Sequence, residues 1–257
     1  MSGRLFLVPT PLDLGCGEQT ALQSVLPLHV IQTAASLRCW ICEDAKSTRA
    51  FLVRVREIMP LACDLRDMDF KTLPRAVQKK GDRFAPADIA TLLQATLDGQ
   101  DTGLTSEAGM PAVADPGASV VRAAHDLGIS VLPLAGPSSI LMALACSGLN
   151  GQNFAFVGYL PVEGAQREVR IRELETLALK TGQTQLFIET PYRNRAMLQA
   201  LIATLKPTTR LALACGLTLE RQWMRSETVG QWKKTGPDAG PQSALALDLP
   251  AIFGIGI

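Results

Sequence analysis

The stretch TSEAGMPAVADPG, residues 105–117, decides how the chain reads. It follows a short apolar segment and precedes a helix-like run. In open α/β folds that is where ligands bind, outside the carboxyl ends of the strands. Glycine and proline make it look like a nucleotide loop. Yet it carries Glu107 and Asp115 and no lysine or arginine. A phosphate loop offers N–H groups and often a lysine to a dianion, and two carboxylates would repel that dianion. The stretch suits a ligand with hydroxyls, amines or positive charge. S-adenosylmethionine has those features and no phosphate, and carboxylates or carbonyls can accept from its amine and ribose. Asp115 also stands where it could cap a helix with Pro116 as its first residue.

Outward from this stretch the first half alternates short apolar runs with longer mixed ones. Strands are expected at residues 5–8, at CWICED, at 102–104 and at ISVLPL. Helices are expected over 21–37 with a break at Pro27, over 47–58 with Ser47 as N-cap, over 88–99 closed by Gly99, and over 118–128. This alternation predicts βαβ units and a mostly parallel sheet. It places Pro9-Thr10-Pro11, Glu43-Asp44, the 105–117 stretch and Gly136-Pro137-Ser138-Ser139 on one rim. Ser138 or Ser139 would cap the apolar helix that follows, or open its N-terminus to a carboxylate. In the second half, strands are expected at FAFVGYLP, TQLFIETPYRN, RLALACGLT and PAIFGIGI, with helices at QREVRIRELETLALKTG and RAMLQALIATL. Residues 237–250 read as a loop. The expected domains are 1–133, a connecting loop and helix at 134–149, and 150–257.

Composition bounds the alternatives. The length of 257 residues suggests about two domains. A net charge of +1 gives no global steering toward nucleic acid or anionic lipid, so polyanion binding needs a local patch. KTLPRAVQKKGDR is the better one, with Lys71, Arg75, Lys79, Lys80 and Arg83 against Asp82. The basic residues Arg167, Arg170, Arg172 and Lys180 are offset by Glu168, Glu173 and Glu175. Six cysteines include one C-x-x-C, Cys39 and Cys42, on a strand with no second pair. They read as buried free thiols, with no metal site, in a reduced cytoplasmic setting. Residues 128–149 are uncharged and long enough to span a bilayer, but Pro133, Gly136, Pro137, Ser138 and Ser139 cut them. No signal peptide and no membrane attachment are expected. There is no G-x-x-x-x-G-K-[ST], and GCGEQT lacks the third glycine of a dinucleotide loop and reads as a surface turn.

SEAGMPAVADPG, AGPSSI, GYLP and ETPYR stand in the order and spacing of four blocks of the tetrapyrrole methylase superfamily. The chain resembles the branch containing the small-subunit ribosomal RNA cytidine 2′-O-methyltransferase, from about residue 4 to 253. The resemblance implies two α/β domains, not Rossmann-like, with S-adenosylmethionine in the cleft between them. It implies cofactor contacts from Pro9, Thr10, Pro11, Met110 and Val113, then from Ser139 and Ile140, and from Ile188, Gly216 and Pro250. A homodimer is also implied. The chain departs from the branch at ACGLTLER, where Cys215, Gly216 and Leu219 replace polar residues, and at Met110, which replaces threonine.

Methyl transfer to a hydroxyl benefits from a base. Candidates on the rim are Glu43, Asp44, Glu107, Glu189 and Tyr192, with Glu107 and Glu189 favoured as catalytic because each follows a strand. Glu43, Arg49, Tyr192 and Arg193 are candidates for substrate binding, the arginines for phosphate or carboxylate. Three readings stay open: methylation of RNA, methylation of a tetrapyrrole, other small molecule or peptide, and cofactor binding without catalysis.

Overall fold

The computed structural model describes residues 2–13, 15–74, 89–236 and 247–257. The chain divides into two compact units, Met1–Leu14 with Gln19–Ser138, and Gly15–Glu18 with Ser139–Ile257. The segment 134–149 is thus shared, its loop in the first unit and its helix in the second.

The first unit is built on β1 (Arg4–Leu7), β2 (Cys39–Cys42), β3 (Asp69–Thr72), β4 (Thr102–Thr105) and β5 (Ser130–Pro133). They form a parallel sheet in the order β3-β2-β4-β1-β5. Helices α1 (Leu22–Val25), α2 (Leu28–Ser36) and α3 (Ala45–Ile58) come before β3. A 3-10 turn, Ile89–Leu93, runs into α4 (Gln94–Leu97), and α5 (Ala118–Asp126) follows β4. The expected helix over 88–99 is therefore two short pieces, and Asp88 lies outside the described residues. Two apolar clusters pack here, one around Trp40, Phe51 and Val30, the other around Ile41, Leu104 and Val120.

Strand β4 reads weakly as TGLT because its neighbour needs the room. A Cβ on Gly103 would lie 2.6 Å from the Trp40 ring. Strand β3, DFKT, was not expected at all. It is a polar edge strand, defined by its register on β2.

Two caps differ from expectation. Asp44, not Ser47, caps α3: its Oδ1 accepts from the Ser47 N–H at 2.8 Å. Aspartate in extended backbone serves this role as well as serine, so the helix starts earlier. Asp115 does not cap α5. The N-cap is Gly117, at φ +142°, with no side-chain cap. Left-handed residues at Gly109, Ala112 and Ala114 turn the preceding loop, and Asp115 hydrogen-bonds Ser106 instead.

The second unit begins with α6 (Ser139–Ser147). Its sheet holds β6 (Phe154–Tyr159), β7 (Thr184–Glu189), β8 (Arg210–Cys215), β9 (Trp223–Thr228) and β10 (Ala251–Gly256) in the order β6-β7-β10-β8-β9. Only β6 and β7 pair in parallel. The other helices are α7 (Gly164–Thr181), α8 (Asn194–Thr204) and α9 (Val229–Thr235). Phe187 and Phe253 stack at 5.6 Å in the core. Strand β9 and helix α9 were missed, since WMRSET mixes polar and apolar residues without alternation. Their fixed points are tertiary: the Trp232 indole N–H donates to the Leu211 carbonyl, and Thr228 with Gln231 forms a capping box. Among the described residues no helix is long and apolar enough to cross a membrane.

Candidate active site

In the first unit, loops from the carboxyl ends of the strands are knitted together. Thr10 and Gly109 exchange both backbone hydrogen bonds at 3.0 Å, and the Thr10 hydroxyl donates to the Ser106 carbonyl. A Cβ on Gly136 would fall 2.2 Å from Pro9 Cγ, so the loop after β5 lies directly on Pro9. Pro9, Thr10 and Pro11 are all buried. The Thr10 side chain and Pro9 tie neighbouring loops of the rim together.

Strands β2 and β4 are neighbours, which brings the residues after each one together. The Glu43 N–H donates to the Thr105 carbonyl at 3.3 Å. The Glu43 carboxyl accepts from the Glu107 N–H, yet it is pushed up to about 7 by burial and then by Asp115, Glu107 and Asp44. Asp115 is pushed up to about 6 by burial with Glu107 adding, while the bond to Ser106 opposes the shift. Glu107 is raised as well, by burial and then by Asp44. Like charges crowded in partly desolvated space disfavour their own ionisation. Glu43 is therefore poised to exchange a proton near neutral pH, and the cluster of carboxyls favours cations and hydroxyl donors.

The 105–117 stretch is also backbone-strained. Ala112 and Ala114 sit at φ +63° and +65°. Each such residue costs about 1 kcal/mol or more, and such strain gathers at ligand sites. Met110 is half-buried and Val113 is exposed beside them.

In the second unit, Ile188, Gly216 and Pro250 share one end of the sheet. Ile188 pairs with Ile252, and the Gly216 N–H donates to the Pro250 carbonyl at 2.9 Å. Gly216 is left-handed, and a Cβ there would meet Leu249 at 2.5 Å. Ser139 is the half-buried first residue of α6, and the Ile140 side chain is buried.

The tip after β7 differs from expectation. The Glu189 side chain is 1% exposed, and its Oε1 accepts from the Thr190 N–H and hydroxyl and from Arg193 Nε at 2.9 Å and Nη2. Glu189 and Arg193 are spent on each other. Neither the base role of Glu189 nor the phosphate role of Arg193 fits this arrangement. Tyr192 stands out from the tip, 81% exposed, with the Arg193 guanidinium 5.7 Å from its ring centre.

Arg49 lies on α3 with its guanidinium 4.3 Å from the Phe70 ring centre. Lys71 donates to the Thr91 carbonyl, while Arg75, Lys79, Lys80, Asp82 and Arg83 lie outside the described residues. On α7, Arg170 pairs with Glu173 and Arg172 with Glu168. Cys39 and Cys42 are buried free thiols on β2. Among the described residues no group of three or more potential ligands could hold a metal ion.

The weight of Glu43 and Asp115 was not evident from their types. It follows from β2 and β4 being adjacent although they are far apart in the chain. The acid after each strand was the available signal.

The chain matches the family model of Tetrapyrrole (Corrin/Porphyrin) Methylases over residues 23–232. It is 31% identical over 225 residues to Ribosomal RNA small subunit methyltransferase I of Mesorhizobium japonicum, covering 88% of this chain and 67% of the relative. The protein of the same name from Escherichia coli O157:H7 is 32% identical over 230 residues, covering 89% and 70%. The chain thus spans about two thirds of these relatives' length. Among solved structures, the methyltransferase CobJ aligns with a TM-score of 0.53 at 17% identity, covering 99% of this chain and 94% of that one. The uroporphyrin-III-C-methyltransferase from Thermus thermophilus aligns with a TM-score of 0.51 at 16% identity, with the same coverage. At such identity these structures speak for the fold alone. The chain belongs to the tetrapyrrole methylase family, and it is a methyltransferase with S-adenosylmethionine as its methyl donor.

Proposed function

We propose that the chain methylates a ribose hydroxyl of small-subunit ribosomal RNA. The observation that carries this is the carboxylate rim of Glu43, Glu107 and Asp115, in a chain whose relatives are named for that RNA. A hydroxyl is a poor nucleophile until its proton has somewhere to go. A base is most useful when its own value lies near the working pH, and Glu43 at about 7 meets that condition.

S-adenosylmethionine supplies an electrophilic methyl group on a cationic sulfur. Pro9, Thr10, Pro11, Met110 and Val113 would hold it from the first unit. The rim fits such a ligand because its carboxylates favour positive charge and reject phosphate. A Glu43 carboxylate oxygen takes the acceptor's hydroxyl proton. Glu107 and Asp115 keep Glu43 basic enough to do so and offset the cofactor's charge. Arg49 and Lys71 face the substrate's phosphates.

The chain acts in the cytoplasm as a homodimer. Free thiols support the reduced compartment, and exposed apolar residues such as Leu141, Phe154 and Val162 support a covered surface. Fractionation and sedimentation velocity check these two points.

The decisive experiment offers labelled S-adenosylmethionine with small ribosomal subunits, naked RNA, tetrapyrrole precursors and protein extract. Label on ribose in small-subunit RNA is expected. Label confined to the small-molecule or protein fraction, or none at all, refutes the proposal.

A further inference from the structure

The tip after β7 is a rigid mount for one side chain. Pro191 opens its 3-10 turn, Pro191–Arg193, and fixes the backbone there. The Arg193 N–H donates to the Thr190 carbonyl at 2.9 Å. The buried Glu189 carboxylate binds Thr190 and Arg193 together. Below them Asn194 is fully buried, and its amide donates to the carbonyls of Leu247 and Leu249 at 2.9 and 2.8 Å. Every residue from 189 to 194 except Tyr192 is at least half-buried. Tyr192 is the most exposed large apolar side chain among the described residues.

Burying a tip this thoroughly while presenting an aromatic ring has no folding benefit. The ring is left largely in water, with the Arg193 guanidinium 5.7 Å from its centre. The charge beside it is largely cancelled, since Arg193 spends Nε and Nη2 on Glu189. The tip therefore offers a flat apolar face rather than an anion site. Resting on the proposed RNA substrate, we infer that Tyr192 stacks on an unpaired nucleobase of that RNA. Single-stranded RNA is held in this way, with bases splayed onto aromatic side chains that have been ordered in advance.

The test uses the full chain as Tyr192→Ala and Tyr192→Phe, with short single-stranded RNA oligonucleotides followed by fluorescence anisotropy across a salt series. Tyr192→Ala is expected to weaken binding about 10-fold or more, as loss of one base stack does, and Tyr192→Phe to retain it. The slope of log affinity against log salt stays unchanged, because no phosphate contact is lost. Affinity for S-adenosylmethionine, by calorimetry, also stays unchanged. Equal binding by Tyr192→Ala and wild type overturns the inference, as does absence of wild-type binding. A reduced salt slope overturns it in favour of a phosphate contact. A shifted oligomeric state by sedimentation overturns it in favour of contact with a second copy. Wild-type methylation of small subunits separates the two levels. If it occurs and Tyr192→Ala has the same KM for RNA, only the stacking fails. If it is absent while oligonucleotide binding still depends on Tyr192, only the proposed acceptor fails.

Discussion

Replacing Asp115 by asparagine should make the first unit more stable at alkaline pH and leave it unchanged in acid. The Asp115 carboxyl is raised from 3.8 to about 6, chiefly by burial. A carboxyl raised by folding binds its proton more tightly in the folded state. Its contribution to stability is whole below pH 3.8 and is lost as pH rises through 6. A shift of about 2 units corresponds to about 3 kcal/mol. Residual solvent access and screening reduce this, so about 1.5 kcal/mol is a reasonable expectation at pH 8. Asparagine resembles the protonated form, so the penalty disappears at pH 8 and little changes below pH 3.8. Glu43 is relieved too, because Asp115 is one of the charges that raise it. For a chain of this length the gain appears as roughly 3–6 °C in Tm. The assay is thermal melting at pH 3.5 and 8, with hydrogen-exchange mass spectrometry on β2 and β4 to assign the change to the first unit. Loss of stability at pH 8, or pH curves that stay parallel, refutes the reasoning. The same variant should bind S-adenosylmethionine more weakly at pH 8, since one charge opposite the cation is gone.

Other outcomes follow from the same geometry. In wild type, kcat/KM for RNA should rise with pH and level off above about 7, where Glu43 ionises. Glu43→Gln should remove that rise and lower kcat by about 100-fold or more; an unchanged profile assigns the base elsewhere. Arg193→Ala leaves the buried Glu189 carboxylate without its partner and should cost about 3–5 kcal/mol in urea unfolding. Arg193→Lys should recover part of this, and wild-type stability in Arg193→Ala would show that the pair holds nothing. Gly216→Val adds a Cβ 2.5 Å from Leu249 at a left-handed position. It should cost about 2 kcal/mol or more in unfolding. A silent Gly216→Val would show that the close approach of Leu249 constrains nothing.

Much of this was legible in the residues. The alternation of apolar runs and helical stretches predicted the parallel sheet, and the breaks at Pro133 and Gly136 separated a strand from a helix where a bilayer span could be imagined. The acids without lysine in residues 105–117 predicted a rim hostile to phosphate, and Glu43, Glu107 and Asp115 stand together there. Strands β3 and β9 were not legible, because their residues are polar and only their partners make them strands. The cap of α3 was expected at Ser47, but Asp44 takes that role by accepting from the Ser47 N–H. The pairing of Glu189 was not legible either, because a carboxylate at a strand end looks like a free base until its neighbour Arg193 is seen turning back onto it.

By itself the sequence determined the periodicities, the turn residues and the supply of carboxylates, since these depend on local spacing and side-chain chemistry. Tertiary structure alone decided which carboxylates share space. Placing β4 beside β2 set Glu107 and Asp115 against Glu43 from distant parts of the chain, and their shared desolvation and repulsion moved a proton equilibrium toward neutral pH. An ionisation state depends on surroundings in three dimensions, and no local pattern records them.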